Sequence, residues 1–277
     1  MTDRPTDVLI STYLDTREWN TQRESVDKTS TIIRDLSSAL LESGTIGTQE
    51  LTALYRLCMN NSTYPVSSKR GEIDELPIPD GAKESLKEQI DEQVGTVGGL
   101  LFPVEVPDDK EEAVSNCFEE LLSTDDPDRL NVAVLELAEL DLPKVECGKL
   151  SPILYYLHPT YYPVVNNLSR TGMAEYFDES ISNSLTDYPD TAAAYRSIRD
   201  SSGFQDNLRD LDYFFIWVNQ RERSREDVSV STDRSYYWVN QGNQAEIRDE
   251  YVRAKVDDVW HHDLSRLDTG DVVFHNF

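Results

Sequence analysis

Histidine, cysteine and basic side chains are scarce in this chain, and each shortage removes a class of function. There are four histidines, His158, His261, His262 and His275. Only His261 and His262 are neighbours in sequence. Adjacent residues of an extended segment point to opposite faces, and metal pairs on a helix need a spacing of three or four. The His261-His262-Asp263 run therefore reads as a polar turn or pocket rim, and no metal is expected. His158, just ahead of Pro159, is expected to close a helix and satisfy its last carbonyls. The three cysteines, Cys58, Cys117 and Cys147, are odd in number, widely spaced and without a C-x-x-C pair. That pattern disfavours a disulfide scaffold or a zinc site and predicts buried free thiols.

Phosphate-binding and nucleophile motifs are absent too. No G-x-x-x-x-G-K-[ST], G-x-G-x-x-G or G-x-S-x-G occurs, and Gly95 to Gly99 has neither the spacing nor the lysine of a phosphate loop. Carboxylates are so abundant that chance pairs are common, and these read as solvated faces, not as a magnesium-dependent nuclease site. The expectation is a chain without catalysis and without a cofactor. No apolar run is long enough to span a membrane, and Met1-Thr2-Asp3-Arg4-Pro5 lacks the apolar region of a signal peptide. A cytoplasmic location follows as the expectation.

What is present in excess is negative charge: 52 acidic against 26 basic residues, a net charge of -26. Acidic chains poor in aromatics are often disordered. Here aromatics make up 9% and hydrophobic residues 38%, enough for folded domains, and the acids are spread along the chain. Arginine outnumbers lysine. A carboxylate-coated surface repels itself, and concentrated salt screens that repulsion, a lever used by halophiles. The composition points to a halophilic archaeal cytoplasm. It argues against nucleic-acid binding through a basic patch. It leaves room for groove or pocket contacts, because counterion release contributes little at high salt.

Hydrophobic spacing predicts a mainly α protein. Val8, Leu9, Tyr13 and Leu14 form a first apolar face. Ile32, Ile33, Leu36, Leu40 and Leu41 form a second, with Gly44 as its C-terminal cap. Thr48 is expected to cap a helix carrying Leu51, Leu54, Tyr55 and Cys58. The stretch from Asn60 to Asp80, with Pro65, Gly71, Pro77 and Pro79, reads as a loop. Further helices are expected over Ala82–Gln93, from Pro107 through Leu122, over Pro127–Leu140, Lys149–His158, Thr191–Asp200 and Leu208–Arg221. Residues 222–234 carry charge and serine without periodicity and read as a linker between residues 1–221 and 235–277. Beyond it, Tyr236-Tyr237-Trp238-Val239 and Asp271-Val272-Val273-Phe274-His275 have strand composition. Two strands make no stable sheet alone, so this segment reads as an incomplete β-rich unit.

Two segments carry a resemblance. Tyr237-Trp238-Val239-Asn240, then Trp260, then Leu267-Asp268-Thr269-Gly270-Asp271-Val272-Val273-Phe274 resemble the opening of an EVE domain, a PUA-like module related to YTH readers. The resemblance covers about the first third of such a domain. It implies a modified base taken into an aromatic pocket, with Trp238, Asn240, Gln241 and Trp260 in contact with it. Amide side chains suit that task because they both donate and accept. Ser151–Pro159, Tyr162–Asn166 and Leu211–Trp217 resemble a helical region that precedes the ATPase of some Mcr-type modified-cytosine restriction proteins, where an apolar helix, a proline break and a Pro-Val-Val strandlet pack on a final helix. Together they imply recognition of modified nucleic acid for a restriction or antiviral defence system, with ATPase and nuclease subunits as partners. The alternatives from the residues themselves are an aromatic group that merely fills a small β core, a helical protein-interaction module, the truncated remnant of a restriction ATPase, or an acidic mimic of nucleic acid.

Overall fold

A computed structural model of the protein describes residues 5–16, 19–98, 104–205, 207–229, 236–240 and 272–276. Among them are eleven α-helices and two strands. The chain divides into two compact units, Met1–Asn219 and Gln220–Phe277.

In the first unit, α1 (Pro5–Thr16), α2 (Trp19–Ser43) and α3 (Thr48–Cys58) follow the first three apolar faces. α2 is the central element: its stripe of Ile32, Ile33, Leu36 and Leu40 is buried against α3, α5 (Asp80–Gln89), α6 (Glu111–Ser123) and α8 (Cys147–Leu157). That is the burial expected of an i, i+3, i+4 stripe, worth roughly 1.5–3 kcal/mol for each large side chain. α6 packs on α7 (Pro127–Glu139), and α7 on α10 (Tyr188–Ser202). Asp126 caps α7 by accepting from the N–H groups of Asp128 and Arg129, with Pro127 in the first turn. All three cysteines are free and buried. No helix among the described residues is long and apolar enough to cross a membrane.

Several elements differ from the sequence expectation, each for a local reason. Gly44 follows α2 directly, as expected, and its N–H donates to the Leu40 carbonyl at 3.0 Å, but without the left-handed φ seen at Gly203 after α10, at φ 75°. Thr48 does not cap α3. Gly47 occupies the cap position, and the Thr48 hydroxyl instead accepts from Val106 N (2.8 Å) and donates to Val106 O (3.1 Å), tying α3 to the strap before α6. Inside the expected loop lies α4 (Val66–Glu75), whose buried side chains are Lys69 and Ile73. A lysine hides such a helix from a search for apolar periodicity, because its methylene stem does the burying. The Lys69 ammonium donates to Asn61 Oδ1 at 2.9 Å and to the Val94 carbonyl, and burial lowers its pKa to about 8. α9 (Asn167–Phe177) was also not expected; its only buried residues are Ser169, Gly172 and Met173, too few for a visible stripe.

The Pro163-Val164-Val165 stretch forms no strand. Its polar groups are taken by side chains: Val165 N–H donates to Ser151 Oγ (2.9 Å), and the Pro163 carbonyl accepts from Tyr188 Oη (2.6 Å). α11 runs over Arg209–Ser229, so helical backbone continues past Arg221 into the stretch that the sequence assigns to a linker. Charged and serine residues are compatible with helix, which explains why their lack of apolar periodicity did not end it. In the second unit, β1 (Tyr236–Asn240) pairs with β2 (Val272–Asn276) in parallel, Trp238 opposite Phe274 and Asn240 opposite Asn276.

One backbone position controls how the loop after α5 meets α3. Gly95 has φ 82°, and a Cβ there would lie 2.0 Å from the Met59 carbonyl oxygen. Its neighbour Val97 forms a parallel bridge to Met59. Gly95→Ala is expected to cost about 2–4 kcal/mol in chemical denaturation, whereas Gly44→Ala, with nothing within 4 Å of the added methyl, changes stability by about 0.5 kcal/mol or less. Equal effects of the two substitutions contradict the close approach.

Candidate functional site

A cavity of about 530 Å³ opens in the helical unit between the ends of α3, α8, α9 and α11. Small-molecule pockets span roughly 300–1,000 Å³. Its mouth is polar: exposed Glu146 and Asn167, with Lys149 and Asn183 half-buried. Its floor is buried and mostly apolar, with Met59, Val97, Val164 and Phe215 beside one charged pair, Arg209 and Asp212.

The start of α9 forms one wall. Asn166 and Ser169 make a reciprocal cap: Ser169 N–H donates to Asn166 Oδ1 (3.0 Å), and Asn166 N–H donates to Ser169 Oγ (2.7 Å). Asn167 and Leu168, the next two residues, line the cavity. Their N–H groups belong to the first helical turn and have no intrahelical acceptor. α9 lies close against α11 because Gly172 has no side chain; a Cβ there would sit 2.3 Å from the Phe215 ring.

Arg209 and Asp212 stand one turn apart on α11, each side chain only 4% exposed. Arg209 Nη1 donates to Asp212 Oδ2 at 2.8 Å and Nη2 to the Thr96 carbonyl at 2.9 Å. Thr96 in turn receives Tyr156: its N–H donates to Tyr156 Oη (2.9 Å), and the two hydroxyls are 2.7 Å apart. Asn207 Oδ1 accepts from both Tyr155 Oη (2.7 Å) and Arg209 N–H (2.9 Å). Tyr195 approaches Asp212 without closing a well-shaped bond. Tyr195 Oη, Asp212 Oδ1 and Arg209 Nε are thus buried without a full hydrogen-bond partner. Such atoms cost about 1–3 kcal/mol each when no water or other group meets them, and two of the three side chains, Arg209 and Asp212, line the cavity.

His158 Nε2 donates to the Leu121 carbonyl at 2.7 Å, one of the last carbonyls of α6 and not of its own helix, and burial holds its pKa below the ordinary value. Burial pushes the Cys117 thiol up to about 11 and the Cys147 thiol to about 12, which favours the neutral thiol over the thiolate. Among the described residues, no three His, Cys, Asp or Glu side chains gather as a metal site would need.

Of the residues expected from sequence to contact a base, Trp238 and Asn240 lie on β1, with their side chains outside the described set. Gln241 and Trp260 lie outside the described residues, as do His261 and His262. Arg209 and Asp212 were missed altogether. The signal was there: position 212 falls on the apolar stripe that includes Leu208 and Phe215, and a charge on a buried stripe with an arginine at i-3 marks an internal pair.

Burial pushes the Asp212 carboxyl up from 3.8 to about 6, against the pull of Arg209. Between those values the folded chain holds a proton that the unfolded chain has released. The group's contribution to stability therefore falls as pH rises through that window, by up to about 3 kcal/mol. Asp212→Asn has no such proton, so its denaturation midpoints, measured across the window, are expected to lack this decline; a wild-type slope in the variant contradicts the assignment.

No family model, curated protein or solved structure matches this chain.

Proposed function

We propose that the chain is a nucleic-acid recognition component of a restriction or antiviral defence system. It reads a modified base through the segment from residue 235 onward and leaves cleavage and nucleotide hydrolysis to partner ATPase and nuclease subunits. The observation that carries this reading is the EVE-like pattern itself, together with the backbone register of its two strands. Parallel pairing sets Trp238 opposite Phe274, so two ring-bearing positions of the pattern are neighbours on adjacent strands. Stacking a base on an aromatic ring is worth roughly 1–3 kcal/mol, a term that survives the salt this acidic surface calls for. Phosphate pairing does not.

A second reading is favoured by one surface feature. Val132 and Leu135, one turn apart on α7, are 53% and 36% exposed, and α7 could dock a partner subunit through them. The two readings separate in a single experiment. Fluorescence anisotropy of labelled duplexes with and without cytosine modification, in molar potassium chloride, is expected to show tighter binding of the modified duplex. Trp238→Ala weakens that binding roughly five- to hundred-fold, and Val132→Asp leaves it unchanged. Equal, weak binding of both duplexes contradicts base reading and leaves the interaction module.

A further inference from the structure

We draw no further inference here: the strongest candidate, the cavity between the ends of α3, α8, α9 and α11, rests on the N-terminus of one helix, because the unpaired Arg209 and Asp212 atoms are closed off from it and Lys149 Nζ is taken by the Lys144 carbonyl.

Discussion

Arg209 and Asp212 form a buried ion pair, each side chain 4% exposed, that ties together several elements of the helical unit. Removing two charges from water costs several kcal/mol per ion, recovered only if the geometry is good and the remaining donors and acceptors are met. Each contact that meets them crosses between elements. Thr96 brings in the loop after α5, and Tyr156 on α8 holds Thr96 in place. Asn207, just before α11, accepts from the neighbouring Tyr155. Elements far apart in sequence are thus held in register by polar contacts, which are directional, where hydrophobic burial is not. Asp210, the carboxylate between the two, does similar work at another seam: it accepts from Tyr13 Oη of α1 at 2.8 Å.

The cavity lies beside the same pair. The Gly172 contact holds α9 close to Phe215, and the first turn of α9 lines the opening beside the pair. The ion pair and the first turn of α9 both line that opening. The acidic surface belongs to a different part of the account. It governs solubility and long-range repulsion, and under the proposed function it leaves only short-range contacts to hold a nucleic acid.

Much of the fold was legible in sequence wherever a helix buries several aliphatic residues on one stripe. α2, α6, α7 and α8 are of that kind, and so are the three buried thiols. The misses share a cause. α4 buries Lys69 and Ile73, and α9 buries Ser169, Gly172 and Met173; their packing uses a lysine stem, a hydroxyl and a missing side chain, none of which registers as hydrophobic period. Thr48 carries cap chemistry but spends its hydroxyl on Val106, because a tertiary partner outcompetes the local one. The candidate site was least legible for a related reason. Its residues come from six segments between Tyr55 and Ile216, and no motif links them; only the misplaced charge at position 212 hints at it.

The central claim is that Arg209 and Asp212 stabilise the helical unit as a pair and burden it singly. A double-mutant cycle by chemical denaturation tests this most directly. Arg209→Met alone and Asp212→Leu alone are each expected to cost about 3–5 kcal/mol, because each strands a buried charge, while the double variant recovers most of that loss. Single and double costs that simply add would contradict the account.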